Sequence, residues 1–258
     1  MSLFRLIARL DIKAPNLIKG VQMEGLRKVG DPHEYALKYA TAGIDELLYM
    51  DCVASLYGRN QLLTLLEKVT DETFVPITVG GGIRNRDDAA MAFFSGADRV
   101  CINTGAHRDP SLIEAISGHY GSQACSVSIE AKRKGGGWEC YTEGGRQKTG
   151  RDCREWASEA VHRGAGEILL TSVDMEGTRQ GFDLDLIAAI CPHLPVPVVV
   201  SGGCGSPDHV RQAIGAGADA VAVADCLHYG RYSIEELRQG AISAKRPTAK
   251  RSEHARIG

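Results

Sequence analysis

The sequence predicts a (β/α)8 barrel made of two similar (β/α)4 halves, and three observations carry that expectation. Apolar, β-rich runs alternate with amphipathic helical stretches along the chain, a grammar that implies a parallel sheet. Two of those runs end in consecutive glycines, "ITVGGGIR" at Ile77–Arg84 and "VVVSGGCG" at Val198–Gly205. Finally, the chain repeats itself. The register that places Gly82 on Gly203 also places "SGADRV" (Ser95–Val100) on "AGADAV" (Ala216–Val221) and "AGIDELL" (Ala42–Leu48) on "RGAGEIL" (Arg163–Leu169). Nearly the same register carries "LDIK" (Leu10–Lys13) onto "IEAK" (Ile129–Lys132).

Strands are expected at about Phe4–Asp11, Glu46–Asp51, Val75–Val79 and Arg99–Asn103 in the first half. Their counterparts fall at about Ala124–Glu130, Glu167–Thr171, Val196–Ser201 and Ala220–Ala224. Helical stretches follow them, such as "DPHEYALKYATAG", with Asp31 as N-cap, Pro32 in the first turn and Gly43 past the end. Eight such units closed into a ring leave no bare sheet edge. One barrel is therefore expected over residues 1–244, with halves of about 1–122 and 123–244, followed by a basic, flexible tail at 245–258.

At 258 residues with 43% apolar side chains, the chain can bury a sizeable core. A net charge of -2 gives no reason to expect nucleic acid as a partner, and no apolar run nears the length of a membrane span. Eight cysteines contain no C-x-x-C pair, so neither a metal site nor any other cofactor is expected. Reduced cysteines inside apolar runs fit a cytoplasmic protein.

In this fold, chemistry sits at the C-terminal ends of the strands. Gly80, Gly81 and Gly82, and likewise Gly202–Gly203, lie there, where glycine lets backbone N–H groups approach an anion closely. Each has a companion at the next strand end, Asn103–Thr104 and Ala224–Asp225. Two cradles on opposite sides of one mouth suit a long substrate with a phosphate at each end. Asp225 would repel such a group unless its carboxylate turns away or meets a cation. Asp11 ends the first strand and Glu130 the fifth, so the two face each other across the ring. Opposed carboxylates can act as base and acid, or each can cap a helix or pair with Lys13, Lys132 or Lys19.

These residues resemble a known family. "LDIK…LIKGV", "DPHEYA", "PITVGGGIR", "SGADRVCINT", "GGWECYTEGGRQKTG" and "GAGEILLTSVD" followed by "EGT" are similar, in order, to the cyclase subunit of imidazole glycerol phosphate synthase. The resemblance runs from about Arg5 to Leu237; Lys19 and the "YTEGGRQKTG" segment favour it over the sister isomerase of histidine synthesis. It implies an enzyme that takes ammonia from a glutaminase partner. The ammonia is added to a bis-phosphorylated ribulosyl-formimino aminoimidazole carboxamide ribonucleotide, releasing imidazole glycerol phosphate and an aminoimidazole carboxamide ribotide. It further implies Asp11 as general base, Glu130 as general acid, and Lys19 on a loop closing over the substrate. Gly82, Asn103 and Thr104 would hold one phosphate, and Gly177, Gly203, Ala224 and Asp225 the other, with Asp51, Thr171 and Ser201 elsewhere in the mouth. Arg5, Glu46, Arg99 and Glu167 begin four strands and would gate the ammonia entrance at the N-terminal face, where the glutaminase docks beside Asp98 and Gln123. As bare sequence, the four charges could equally form a solvated surface cluster.

The chain departs from the family at four places. Glu130 and Glu176 stand where aspartates are usual, Asp225 where a small hydroxyl is usual, and Arg9 where cysteine is common. Arg9 shares strand parity with Asp11, so its guanidinium should point inward and need a partner such as Asp11, Glu130 or Asp51. Departures confined to the mouth and lumen leave a second reading open: a paralogue that keeps the barrel and glutaminase but passes ammonia to a sugar amidotransferase. A third is a barrel that only binds a phosphosugar or regulates its partner.

Overall fold

Alternation along the first expected strand sets the architecture. Leu6, Ala8, Leu10 and Ile12 form one apolar face, and Arg5, Ile7, Arg9 and Asp11 the other. In the computed structural model, which describes residues 4–52 and 61–244, the apolar face packs under helices and the mixed face points into a closed barrel. The expected tail at 245–258 lies outside the described residues.

In chain order the strands are β1 Arg5–Lys13, β2 Asn16–Val21, β3 Glu24–Gly30, β4 Glu46–Asp51, β5 Ile77–Gly80 and β6 Arg99–Ile102. They continue as β7 Cys125–Lys134, β8 Gly137–Thr142, β9 Gln147–Asp152, β10 Glu167–Ser172, β11 Val198–Ser201 and β12 Ala220–Val223. The helices are α1 Pro32–Thr41, α2 Gln61–Thr70, α3 Arg86–Phe94, α4 Thr104–Arg108 and α5 Ser111–Tyr120. After β9 come α6 Cys153–His162, α7 Leu184–Ile190, α8 Pro207–Gly215, α9 Asp225–His228 and α10 Ile234–Ile242. Eight strands pair in parallel in the cyclic order β1-β4-β5-β6-β7-β10-β11-β12, and β12 returns to β1. The (β/α)8 barrel is thus present, and α1 starts as expected, with the Asp31 carboxylate accepting from the backbone N–H of His33 (2.8 Å) and Glu34 (3.2 Å).

Two antiparallel hairpins were not anticipated. β1 and β7 overrun the rim; β2 folds back on β1 with Ile18 opposite Asp11, and β8 folds back on β7 with Tyr141 opposite Glu130. β3 and β9 complete the hairpins. Lys19, expected on a loop, is therefore on a strand, one residue beyond the Ile18 that pairs with Asp11 and opposite Arg27 of β3. The first hairpin hides in sequence because its tip uses Gln22 and Met23 in the left-handed region (φ 52° and 63°) where glycines would normally advertise the turn.

The repeated "GAD" motif now has a physical role. Asp98 accepts from the Ile77 backbone N–H at 2.8 Å and returns its own N–H to the Ile77 carbonyl at 2.9 Å. Asp219 makes the same clamp on Val198 (3.0 and 3.1 Å), and Asp45 on Leu6 (2.8 and 3.2 Å). Each clamp pins the start of one strand to the loop entering its neighbour. The corresponding place in "RGAGEIL" is Gly166, because a Cβ there would lie 2.2 Å from the Ser122 carbonyl oxygen. Asp98 thus has one carboxylate oxygen committed to the scaffold although it is exposed at the floor. Replacing Asp219 by Ala leaves the Val198 N–H unpaired and should cost about 1–3 kcal/mol in urea unfolding, with little effect on ligand affinity.

Candidate active site

From the floor upward, the barrel interior is a stack of levels set by strand parity. At the floor, Arg5 from β1 bridges Glu46 of β4 at 2.7 Å and Glu167 of β10, while Arg99 of β6 reaches Glu46 at 3.0 Å and Glu167 at 3.2 Å. Each arginine touches both glutamates, so the ring is closed and its four charges cancel. Thr78 of β5 donates a further hydrogen bond to Glu46 at 2.6 Å. The four expected gate residues therefore meet, with both carboxylates buried. Thr78 was missed, although its inward parity on β5 was legible.

Above the ring the lumen is dry. Ile7, Leu48, Cys101, Leu169, Val199, Ala220 and Ala222 form a cluster separate from the outer core, with Met50 against it. Above that level lies Arg9, only 5% exposed. Its Nε donates to Asp11 Oδ1 at 2.8 Å, and one terminal nitrogen donates to the Thr171 (3.1 Å) and Ser201 (3.3 Å) hydroxyls. Of the three partners expected for it, Asp11 is the one it bonds.

The two mouth carboxylates sit in contrasting surroundings. Burial alone would raise the Asp11 pKa, but the guanidinium of Arg9 and the ammonium of Lys19, 3.5 Å away, outweigh it and hold it at about 2. Glu130 is equally buried, and there burial prevails: its pKa is raised, although Oε2 accepts from the Gly145 backbone N–H at 2.7 Å. The two carboxyls are thus shifted in opposite directions, Asp11 down and Glu130 up. Glu176 binds Lys19 directly, so an alternating chain Glu176–Lys19–Asp11–Arg9 crosses one side of the mouth. Burial pushes the Lys19 pKa down despite these partners.

The mouth opens into a cleft of about 1070 Å³ lined by both carboxylates, Lys19, Asp51, Gly81, Gly82, Asn103 and Thr104. Gly81 needs its positive φ (93°) and its missing Cβ, which would fall 2.3 Å from the Asp51 carbonyl oxygen. Arg84, Arg108 and Arg146 border the same cleft; none was singled out from sequence, though the positions beside "GGGI" and "TEGG" were a usable hint. A smaller hollow of about 260 Å³ gathers Lys19, Glu176, Gly177, Gly202, Gly203, Ala224 and Asp225, together with Ser201. Asp225 does meet cations there: Arg231 Nε at 3.2 Å and Arg179 Nε at 3.9 Å. The expected site residues therefore gather at one rim, apart from the four that form the floor ring.

The sequence of this chain is similar to those of known proteins over most of its length. The histidine biosynthesis protein family covers residues 5–233 of this chain. An imidazole glycerol phosphate synthase subunit HisF from Legionella pneumophila is 56% identical over 206 residues, spanning 80% of this chain and 97% of its own length. The Pyrococcus furiosus HisF is 46% identical over 234 residues, 91% of this chain and 93% of its own. That of Myxococcus xanthus is 46% identical over 241 residues, 93% of each. The chain belongs to the HisF family. The resemblance read from the sequence motifs is to the same family.

The contrast between the carboxylates predicts unequal costs of removing them. Asp11→Asn strands a buried guanidinium and should destabilise the fold by about 3–5 kcal/mol. Glu130→Gln keeps a neutral acceptor for Gly145 and should cost about 1 kcal/mol or less in the same unfolding assay. Because the Asp11 pKa is depressed on folding, its contribution is complete above the ordinary carboxylate range and is lost as pH falls toward about 2.

Proposed function

We propose that this chain is the cyclase subunit of imidazole glycerol phosphate synthase and acts in histidine biosynthesis in the cytoplasm. It would take ammonia from a glutaminase partner. The ammonia converts bis-phosphorylated ribulosyl-formimino aminoimidazole carboxamide ribonucleotide to imidazole glycerol phosphate and the aminoimidazole carboxamide ribotide. The observation that carries this reading is the pair of opposed carboxylates with opposite protonation tendencies, placed between two glycine-lined hollows.

In this scheme, the larger cleft takes one phosphate against Gly81, Gly82, Asn103 and Thr104, with Arg84 and Arg146 as nearby charge. The other phosphate lies against Gly177, Gly202, Gly203 and Ala224, where Arg179 and Arg231 offset Asp225. Glu130, whose pKa burial raises, is the acid that hands a proton to the departing nitrogen. Asp11 is the base; it gains strength as an incoming phosphate draws Lys19 away from it. Asp51 orients the substrate between them, while the Thr171 and Ser201 hydroxyls hold the guanidinium of Arg9.

Nitrogen comes from below. Only an uncharged molecule crosses the apolar level above the ring, which suits ammonia and excludes ammonium. The neutral ring of Arg5, Glu46, Arg99 and Glu167 is the entrance gate. Beside it, Phe74 (99% exposed) and Phe94 (92%) stand in the segments leading into β5 and β6, an apolar surface suited to a docked glutaminase on the N-terminal face. A conduit serving a sugar amidotransferase is not favoured, because the mouth is an open, fully furnished cleft and the chain belongs to the HisF family.

With the bis-phosphorylated substrate and an ammonium salt at alkaline pH, the purified chain should turn over without a glutaminase. Asp11→Asn and Glu130→Gln should each lower kcat by about a hundredfold or more. Absence of turnover and of substrate binding in the unmodified chain would sink the reading. Arg99→Ala should depress glutamine-dependent turnover of the heterodimer more than ammonium-dependent turnover, and equal effects would count against a gate at the floor.

A further inference from the structure

The interior stack contains one member that neither acid–base chemistry nor phosphate binding requires. Arg9 rises from β1, yet its far end is anchored on Ser201 of β11 and Thr171 of β10. Passing round the ring from β1, β12 comes first, then β11, then β10. A side chain tied to the third of eight strands round a closed ring lies along a chord that passes close to the barrel axis. The guanidinium therefore occupies the middle of the lumen, above the dry level formed by Ile7, Leu48, Leu169 and Val199 and below the mouth carboxylates.

Three hydrogen bonds hold this buried group there. The pairing with Asp11 joins two charges and is short, while the bonds to the two uncharged hydroxyls are longer and weaker. A guanidinium can exchange weak far anchors without leaving its carboxylate. A second consequence concerns charge. Arg9 faces Asp11 from the lumen side and Lys19 faces it from the hairpin, so arriving ammonia meets a carboxylate already neutralised and is not captured as ammonium.

We infer that Arg9 is a latch at the exit of the lumen: nitrogen travelling up the barrel reaches the mouth only when the guanidinium leaves Thr171 and Ser201, and its bond to Asp11 ties that passage to the strength of the base. The inference rests on the proposed ammonia-dependent cyclase activity. Arg9 is a positioning residue, acting through Asp11 and through the space it fills. Groups facing Asp11 from the surrounding elements are Arg9 on its own strand, Lys19 on β2, Glu130 on β7, Cys52 beyond β4 and His228 of α9. Of these, Arg9 alone also spans the lumen.

The test uses the heterodimer with its glutaminase and the bis-phosphorylated substrate. The unmodified complex should release one glutamate per imidazole product. Arg9→Met fills similar volume without charge, and below substrate saturation it should release about twofold more glutamate than product, as ammonia escapes through an unready mouth. In a carbon NMR titration of the free chain, the acidic limb of the Asp11 carboxyl should move up by about one pH unit, because Asp11 loses its stronger cation. Arg9→Lys should return the limb toward its original place while leaving the excess glutamate, since an ammonium pairs with Asp11 but cannot fork to both hydroxyls. A Thr171→Val, Ser201→Ala double variant frees only the far anchors and decides the question of passage if Arg9→Met does not fold. It should give excess glutamate with an unmoved limb. Strict one-to-one release in every variant would overturn the latch, and an unmoved limb in Arg9→Met would overturn its link to Asp11. Failure of the unmodified chain with ammonium salt, which enters from the mouth and bypasses Arg9, would instead retire the cyclase reading.

Discussion

Closing eight parallel strands into a ring leaves an interior with space for few side chains at each height, and every second residue of every strand must occupy it. The rest of the molecule follows from how that scarce volume is filled. In most barrels of this kind branched apolar residues fill it throughout. In this chain they fill only one height, with charge below and above. Burying so many ions is tolerable because each has a partner of opposite sign: the floor as a ring of two arginines and two glutamates, the mouth as a chain of alternating acids and bases. Neither arrangement survives the loss of a member without stranding a charge, so the polar interior specifies one packing.

The same pairing separates the chemistry of two carboxylates that look equivalent on paper. Asp11 and Glu130 stand at matching strand ends, are equally buried and lie on opposite sides of the mouth. One is gripped by two cations and the other by a backbone N–H. This difference in neighbours, and not any difference between aspartate and glutamate, lowers the pKa of one and lets burial raise that of the other. The extra methylene of Glu130 is taken up by its bond to Gly145 on the second hairpin, which brings the carboxyl to the rim.

How much of this could be read from the chain depends on whether a feature is local. The eight barrel strands are legible because they are buried and β-rich, and Gly82 and Gly203 mark their ends in register. The floor ring is legible from charges at strand starts. β3 and β9 are not, because sequences such as "EGLRKVG" and "QKTGRD" carry no apolar period and are held by backbone pairing to a neighbouring strand. The protonation contrast is not legible either. It requires knowing that Arg9 bonds Asp11 rather than Glu130 or Asp51, and that Lys19 reaches the same carboxylate while held by Glu176, far away in sequence. Parity indicates which way Arg9 points, but its choice of partner emerges only once the ring has closed.

One strand, β1, carries Arg5 at the floor, Ile7 in the dry level, Arg9 at the exit and Asp11 in the mouth, then turns directly into the segment bearing Lys19. From Arg5 to Asp11 it spans about 20 Å of extended backbone, clamped on both sides by neighbours and without a flexible joint. The charged ring at the floor and the hairpin at the mouth are thus two ends of a single stiff rod. A displacement at either end has no need of a winding route through the protein; it has only to shift a beam.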